Sequence, residues 1–420
     1  MLYYIKRDYK EIINKEPSPK SFGGGKICFM GKNILILATT GGFLDKFEME
    51  NVRILQSMGY KVHYASNTYD MHYLFDEKEV TEKGVQLHHV DIARSPYMLQ
   101  NNWKAFQQLI EIVDTYHIQA IHCHTPVGGV LGRLVGRYYK KRKLRVIYTA
   151  HGFHFFKGAP LINNSIYHAV EKLLAPYTDV LVVINQEDYQ SARRMRLKRG
   201  GKVYKIPGVG LDTEKFKPLS QEEREKKRKE LGIGTEDFFL VSVGELNENK
   251  NQEVVLKALL RMRWRRKKLK NIRYGICGDG FYENRIREDI RRWHLKDTAI
   301  MYGYCRNVQE ILGCADASVF PSKREGLGMA GLESLAMGVP VLASDNRGTR
   351  EYMRHGENGY VYSWNDVGGF CEGIERLRDR TAEEKVQMKQ KCIDSVESFQ
   401  CKYTNAIMRE VYENIDRKLR

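Results

Sequence analysis

Residues 321–340, PSKREGLGMAGLESLAMGVP, are the most informative stretch of this 420-residue chain. They follow an apolar run, ASVF, that is typical of a buried strand, and Glu325 opens a Gly-rich turn before a helical pattern. Glu333 comes eight residues after Glu325, well inside that helix. The amides at 326–329 would then point at an anion from the helix N-terminus, where the helix dipole favours negative charge.

Short apolar runs alternate with helical patterns on both sides of this stretch, as in parallel sheets with crossover helices. The predicted strands are 33–39, 61–66, 85–91, 120–124, 145–148 and 180–184, followed by 238–243, 273–277, 299–302, 317–320, 339–343 and 359–361. We therefore predict an α/β fold with two Rossmann-like parallel-sheet domains. Open parallel sheets bind ligands beyond the carboxyl ends of their strands, so we expect a central cleft that both domains face.

Four segments follow from this pattern. They are an N-terminal extension at 1–29, a first Rossmann-like domain at 30–213, a second Rossmann-like domain at 214–400 and a C-terminal helix at 401–420. The extension is turn-rich, precedes a second methionine, Met30, and is expected to be dispensable. No run approaches eighteen apolar residues and no secretory leader is recognised, so we expect a cytoplasmic protein.

The amino-acid composition limits the classes of protein to which the chain can belong. Apolar residues make up 42% of the chain and aromatic residues 11%, which excludes disordered and collagen-like classes. Lys and Arg total 69 against 52 Asp and Glu, and the net charge of +17 favours an anionic partner such as nucleic acid, a phospholipid surface or a phosphorylated substrate. Eight cysteines without a C-x-x-C pair indicate a reducing compartment.

The ordered motifs resemble the retaining glycosyltransferases of family 4, which have the GT-B fold. The most specific motif is Glu-x7-Glu between a strand that ends in Pro-Ser and a Gly-Val-Pro-Val strand. The others are TTGGFL (39–44), HCHTP (122–126), TAHGFHFF (149–156), IPGVGLDTEKF (206–216), VGELNENKN (243–251) and ICGDG (276–280). HCHTP and TAHGFHFF look most like bacterial enzymes that build capsules, exopolysaccharides or lipid-linked oligosaccharides.

The resemblance implies a hexosyl- or N-acetylhexosaminyltransferase that moves a sugar from a nucleotide-sugar, with UDP expected from family frequency, to a lipid-linked or polysaccharide acceptor. It makes His151, Lys250 and Glu325 catalytic, with Glu333 on the ribose and His151 facing the donor sugar across the cleft. The implied donor-binding set is Gly42, Gly244, Lys250, Glu325, Gly326, Gly328, Met329 and Glu333. The implied acceptor-side residues are Gly41, His124 and Thr125. The resemblance further implies that the domain at 30–213 is the acceptor side, that the domain at 214–400 binds the nucleotide-sugar, and that the C-terminal helix crosses back to the first domain.

One departure from the family concerns the diphosphate contacts. The family often has Gly-Arg-Leu where this chain has Gly244, Glu245 and Leu246. A carboxylate thus replaces an arginine that would be aimed at phosphate. Three arrangements are open: Glu245 points away, it pairs with Lys250 until the donor arrives, or another base such as Arg306 compensates.

No metal and no cofactor are expected, and the nucleotide-sugar is a substrate. Family members generally need no metal, and the chain has no convincing Asp-x-Asp pair. His122, Cys123 and His124 might suggest zinc, but consecutive side chains of a strand point to opposite faces, so these three cannot converge.

Basic residues concentrate in stretches without carboxylates, at 115–170 and 189–211. A membrane patch is predicted at Arg137, Lys140, Lys141, Arg142 and Lys143, with Leu134, Val135, Tyr138 and Tyr139 inserting shallowly. We therefore expect peripheral association with the inner face of an anionic membrane.

Two other functional classes remain open at this point. The net charge allows a basic nucleic-acid-binding protein, although no recognition fold or aromatic-interleaved basic motif supports it. Two Rossmann-like units allow a dinucleotide-dependent oxidoreductase, but the Gly fingerprint with its following acidic residue is missing. We therefore expect no nucleic-acid partner.

Overall fold

The structure is a computed structural model that describes residues 31–70, 75–156, 158, 160–264 and 271–419. The predicted extension at 1–29 lies outside these residues. The chain forms two compact units. Unit 1 contains residues 31–183, 189–205 and 405–419, and unit 2 contains residues 184–188 and 206–404. Residues 206–213, which the sequence analysis placed in the first domain, thus belong to unit 2.

Unit 1 is built on a seven-stranded parallel sheet with the order β3-β2-β1-β4-β5-β6-β7. Its strands are β1 (Lys32–Thr40), β2 (Tyr60–Asn67), β3 (Gln86–His89), β4 (Ala120–His124), β5 (Arg145–Ala150), β6 (Val180–Val183) and β7 (Lys202–Lys205). β4 and β6 are buried along their whole length, which explains why they read as continuous apolar runs. The sequence predicted six of these strands and missed β7.

The helices of unit 1 connect and cover these strands. A π-helical turn, Leu44–Glu48, leads directly into α1 (Met49–Ser57). The others are α2 (Glu77–Glu82), α3 (Leu99–Thr115), α4 (Pro126–Tyr138), α5 (Leu161–Leu174) and α6 (Gln186–Ala192), which begins in unit 2. The last helix, α14 (Cys401–Leu419), contributes its residues from Asn405 onward to unit 1.

Glycines let α4 pack closely on the sheet. A side chain at Gly129 would collide with the ring of Tyr148 on β5, and one at Gly132 would lie 2.8 Å from Sγ of Cys123 on β4. The helix can therefore approach the strands more closely than a helix with larger side chains on this face. This packing places α4 directly behind the strand that ends at His124.

Unit 2 is built on a six-stranded parallel sheet with the order β10-β9-β8-β11-β12-β13. Its strands are β8 (Phe238–Val243), β9 (Ile272–Cys277), β10 (Ala299–Gly303), β11 (Ala317–Phe320), β12 (Val341–Ser344) and β13 (Gly359–Tyr362). Its helices are α7 (Gln221–Glu230), α8 (Glu253–Trp264), α9 (Glu283–Arg292), α10 (Val308–Cys314), α11 (Met329–Ala336), α12 (Val367–Arg378) and α13 (Ala382–Asp394). The prediction of two Rossmann-like parallel sheets is confirmed.

One basic residue of the carboxylate-free stretch at 115–170 is part of the core of unit 1. Arg133 on α4 is 1% exposed, and its guanidinium forms two hydrogen bonds with the carboxylate of Glu171 on α5, at 2.6 and 3.2 Å. Nε of Arg133 donates to the carbonyl of Gly129, and the guanidinium lies 4.1 Å from the ring centroid of Tyr148. Arg133 therefore stabilises packing and adds no charge to the surface.

Replacing Arg133 by Met should lower the free energy of unfolding by about 3–5 kcal/mol, because Glu171 would remain as a buried, unpaired acid. The double variant Arg133→Met/Glu171→Leu should regain most of this loss, and urea unfolding at one pH measures both. Arg137→Met, one turn further along α4, is the matched control and should cost less than about 1 kcal/mol, since its guanidinium only stacks on Tyr177. Equal losses at the two arginines would contradict this account.

Candidate active site

In unit 2, the structure brings Lys250 and Glu325 together. Nζ of Lys250, in the loop after β8, lies 2.6 Å from Oε1 of Glu325, in the turn after β11. Their side chains are 23% and 14% exposed, and the ammonium also lies 5.3 Å from the ring centroid of Phe320. The loops meet because β8 and β11 are parallel neighbours whose carboxyl ends share one sheet edge. The pair is thus accessible to a solute that can exchange with one partner.

The N-terminus of α11 lies beside this pair. Gly328 precedes the helix with a φ of +93°, and a side chain there would lie 2.6 Å from the ring of Phe320. No side chain of a described residue caps this N-terminus. Gly326, Gly328 and Met329 are all partly exposed. The amides that start α11 are therefore partly exposed and lack a side-chain cap among the described residues, and their predicted role in binding an anion stays a prediction.

Glu333 lies on α11, and its position relative to Glu325 can be read from Tyr352. Burial, followed by the charges of Glu325 and Glu333, raises the pKa of the Tyr352 phenol well above its ordinary value. The phenol also donates a hydrogen bond to the carbonyl of Gly328, at 3.2 Å. Both carboxylates of the Glu-x7-Glu motif therefore act on one buried ring beneath the turn.

Three residues that the sequence analysis missed support the Glu325–Gly328 turn. The amide of Asn185 donates to the carbonyl of Gly326 at 2.9 Å, and Nε of Arg347 approaches the carbonyl of Glu325 at 3.4 Å. Arg347 forms a buried ion pair with Asp188 at 2.7 Å, and desolvation lowers the pKa of its guanidinium. No sequence signal linked them, because the segment 184–188 reaches the turn only through the tertiary fold.

The loop after β8 is held by close backbone contacts. The amide of Gly244 donates to the carbonyl of Cys277 at 3.0 Å, and a side chain at Gly278 would collide with the carbonyl oxygen of Gly244. Lys250 pairs with Glu325 and not with Glu245, which removes one of the three arrangements left open for Glu245. The aliphatic part of Lys250 passes along Gly244, which keeps the ammonium at the end of the loop.

A polar cavity of about 330 Å³ borders the same loop of unit 2. Its lining includes Asn247, Asn251, Arg285 and Lys323. Arg285 pairs with Glu253 at 2.9 Å, and Lys323 pairs with Glu248 at 2.8 Å. These two cations thus already have carboxylate partners. The amides at the N-terminus of α11, by contrast, have no side-chain cap among the described residues.

In unit 1, His124 and His151 meet a carboxyl group that the sequence analysis did not predict. Nδ1 of His124, the last residue of β4, lies 3.1 Å from Nε2 of His151 and 3.3 Å from Oε1 of Glu48. The distance from Nε2 of His151 to the same Oε1 is 3.9 Å. Glu48 ends the π-helical turn after β1, and His151 follows β5, so the sheet edge again brings the three together. No motif pointed to Glu48.

Burial determines the charge of this cluster. It raises the pKa of Glu48 to about 8 and lowers that of His151 to about 4. Burial, with a contribution from the neighbouring histidines, also holds the pKa of His124 well below its ordinary value. His122 is separate, because its two nitrogens already contact the hydroxyls of Tyr412 and Thr149, at 2.9 and 2.8 Å. Burial therefore favours the uncharged forms of Glu48, His124 and His151.

The remaining predicted acceptor-side residues adjoin the same sheet edge. Thr125 has φ 61° and ψ 158°, a conformation that strains any residue with a side chain. Gly41 and Gly42 are buried after β1, and a side chain at Gly41 would overlap the ring of Phe75. Gly41 is therefore required for packing, and its predicted role toward phosphate or acceptor stays a prediction.

Most of the predicted membrane patch is exposed. Lys140, Lys141, Arg142 and Lys143 are exposed after α4, and Arg142 forms an ion pair with Asp114. The prediction that apolar neighbours insert into a membrane is wrong for Leu134, Val135 and Tyr139, which are at most 9% exposed. Tyr138 is only partly buried against the core of unit 1, and for this residue membrane insertion stays a prediction. The many basic residues around α4 suggested an exposed helix, but α4 packs between the sheet and other helices.

Exposed apolar side chains lie instead on α5. Leu161, Ile162 and Leu173 are 82%, 77% and 69% exposed. No helix among the described residues is both long and apolar enough to cross a bilayer.

The sequence of the chain is similar to those of known glycosyltransferases. Residues 33–185 match the family model described as glycosyl transferase 4-like, and residues 223–393 match the model described as glycosyl transferases group 1. The chain is 39% identical over 348 residues to EpsD of Bacillus subtilis (strain 168), which is named as a glycosyltransferase, covering 83% of this chain and 88% of that protein. It is 26% identical over 282 residues to the UDP-Gal:alpha-D-GlcNAc-diphosphoundecaprenol alpha-1,3-galactosyltransferase of Escherichia coli, covering 67% and 72%.

Solved structures agree on the fold. Anabaena Alr3699/HepE in complex with UDP and glucose superposes with a TM-score of 0.72 at 16% identity, covering 91% of this chain and all of that one. The sucrose-phosphate synthase of Thermosynechococcus elongatus gives a TM-score of 0.74 at 16% identity, covering 92% and 100%. The fold is therefore that of the GT-B glycosyltransferases. With its sequence matches, the chain belongs to glycosyltransferase family 4, as its ordered motifs indicated.

Proposed function

We propose that this glycosyltransferase moves a hexosyl or N-acetylhexosaminyl group, with retention of configuration, from a UDP-sugar to a lipid-linked or polysaccharide acceptor in the synthesis of an exopolysaccharide or capsule. The E. coli relative is named for a UDP-Gal donor and a diphosphoundecaprenol-linked acceptor, and HepE has been solved with UDP. Of the three functions that the sequence left open, glycosyl transfer is the one that the family matches support.

The observation that carries this proposal is the Lys250–Glu325 pair beside the uncapped N-terminus of α11. A diphosphate bound to the amides of Gly326, Gly328 and Met329 would compete with Glu325 for the Lys250 ammonium. Glu325 would then be released toward the donor sugar, and Glu333, further along α11, would accept hydrogen bonds from the ribose. Donor binding is therefore an exchange of partners in which an internal carboxylate is replaced by phosphate.

The same groups would stabilise the departing diphosphate. Negative charge grows on the phosphate oxygens as the bond to the sugar breaks, and fixed donors aimed at that charge lower the barrier. Lys250 and the amides of α11 are such donors, and we propose that they fulfil this role without a metal ion. His151 would hydrogen-bond the transferred sugar, while Gly41, His124 and Thr125 would border the acceptor.

We also propose that the protein acts at the inner face of the membrane as a peripheral protein. Lys140, Lys141 and Lys143 provide an exposed positive surface on unit 1, and Leu161 and Ile162 provide exposed apolar side chains on α5. Anionic lipid attracts the first set, and shallow insertion would bury the second. A lipid-linked acceptor keeps its tail in the bilayer, which makes such a location chemically useful.

The donor site can be tested by two substitutions with different expected effects. Glu333→Ala should weaken UDP binding about tenfold to a hundredfold, because the ribose hydroxyls would lose their hydrogen bond to the charged carboxylate of Glu333. His151→Ala should leave UDP affinity nearly unchanged and lower kcat about a hundredfold. Isothermal titration with UDP and a radiolabelled transfer assay separate the two effects. The control is Glu357→Ala, which changes an exposed acid of unit 2. Unchanged activity in both Glu333→Ala and His151→Ala would refute the site assignment.

Transfer should continue in excess EDTA, since the diphosphate charge is met by Lys250 and backbone amides. The product should retain the anomeric configuration of the donor, which NMR of the isolated product determines. Lys250→Ala should lower kcat/KM about a hundredfold, and added Mg²⁺ should not restore it. An absolute requirement for Mn²⁺ or Mg²⁺, or an inverted product, would rule out the proposed reaction.

Co-sedimentation with phosphatidylglycerol vesicles tests the membrane proposal. Binding should fall as salt rises from about 0.05 to 0.5 M, because the Debye length shortens. Replacing Lys140, Lys141 and Lys143 by Gln should cost up to about 1 kcal/mol per charge. The same change at Lys385, Lys389 and Lys391 on α13 removes equal charge from another exposed surface and should matter less. Equal binding to neutral vesicles, or equal effects of the two triple variants, would count against the patch.

A further inference from the structure

The cluster of Glu48, His124 and His151 in unit 1 has a geometry that hydrogen bonding alone does not satisfy. Nδ1 of His124 faces two partners, at 3.1 and 3.3 Å. An imidazole nitrogen has either one hydrogen or one lone pair, so it makes one strong hydrogen bond at a time. Nε2 of the same ring is buried and has no hydrogen-bond partner. One of the two short contacts is therefore left without a matching donor and acceptor.

We propose that these three side chains form a binding site for a transition-metal dication of the Zn²⁺ class. A tetrahedral Zn²⁺ bound at about 2.0–2.2 Å from each ligand holds its ligand atoms about 3.3–3.6 Å apart. The three observed separations, 3.1, 3.3 and 3.9 Å, bracket that range. A single cation can thus contact Nδ1 of His124, Nε2 of His151 and Oε1 of Glu48 with small adjustments of the rings.

The surroundings orient the ligands. The amide of Asn51 on α1 donates to Oε2 of Glu48 at 2.6 Å, which leaves Oε1 for the ion. The ring of Phe43 packs against both imidazoles, with centroid separations of 5.4 and 5.3 Å. The side chain of His151 is 24% exposed, so an ion and a fourth ligand, water, can reach the site from solvent.

The ligand types select the ion. Two imidazole nitrogens and one carboxylate oxygen suit Zn²⁺, Co²⁺ or Ni²⁺, whereas Mg²⁺ and Ca²⁺ prefer all-oxygen sites. Among the described residues, this is the one group of three such side chains whose ligand atoms lie within 4.8 Å of one another.

An ion in this site would act as an inhibitor, and this consequence rests on the proposed function. It would occupy Nε2 of His151, the residue proposed to contact the transferred sugar, so metal binding and transfer would exclude each other. The enzyme would then need no metal for transfer and would lose activity when Zn²⁺ is added. EDTA would restore the activity.

Direct titration of the metal-stripped protein with Co²⁺, in the absence of sugar nucleotide, tests the site independently of transfer. We expect one equivalent to bind with the intense visible bands of four-coordinate Co²⁺, and Zn²⁺ to displace it. Glu48→Gln and His151→Ala should each weaken binding at least about a hundredfold, and Asn51→Ala about tenfold, since outer partners also tune affinity. Circular dichroism checks that each variant is folded.

The matched control is a second close imidazole pair in the same unit. Nδ1 of His63 lies 2.9 Å from Nε2 of His88, outside the proposed site. His88→Ala should leave Co²⁺ affinity unchanged. The proposal is overturned if the wild-type protein binds no single equivalent, if Glu48→Gln binds as tightly as wild type, or if His88→Ala abolishes binding. Because the titration uses no substrate, a failure of the transfer assay leaves its outcome interpretable.

Discussion

The close approach of two backbone loops at the carboxyl edge of the second sheet is the constraint on which the Lys250–Glu325 pair depends. Gly244 and Gly278 end neighbouring strands, and any side chain at Gly278 would push the two loops apart. Because they meet, the loop after β8 is held against the sheet, and Lys250 extends along Gly244 to Glu325. The position of the Lys250 ammonium therefore depends on the missing side chain of Gly278, which follows the next strand of the chain.

The ionisable groups of the two units differ in their exposure to solvent. Unit 2 keeps Lys250 and Glu325 partly exposed as an ion pair, which water screens and a phosphate can replace. Unit 1 buries Glu48 with two histidines, and burial favours the uncharged form of all three groups. The two environments fit the proposed reaction, in which Lys250 would bind an anionic diphosphate and His151 would contact neutral sugar hydroxyls.

Local patterns were sufficient to predict both sheets, whereas the donor-binding role of the residues after β8 and β11 stays a prediction. β4, β8 and β11 have the predicted bounds, because apolar runs of that length fit strands buried on both faces. β7 was missed, since KVYK is a short, basic strand at the sheet edge, where few apolar residues are required. Glu48 and Arg347 were missed because each acquires its role from a partner more than seventy residues away. The membrane prediction was partly wrong because the sequence gives the charge of a residue but not its burial. Arg133, for example, is buried and paired with Glu171.

The division of the chain has a consequence for the order in which the protein is made. Unit 2 is complete once residue 404 has been synthesised, but unit 1 still lacks the last part of α14. That part includes Tyr412, whose hydroxyl contacts His122, and Asp416, which accepts a hydrogen bond from Tyr60 and pairs with Lys32. On the ribosome, unit 1 is therefore completed only after unit 2, because the region around β1, β2 and β4 lacks these contacts until residues 405–419 have left the exit tunnel. A stop codon before Tyr412 would thus damage unit 1, although all of its strands would already have been translated.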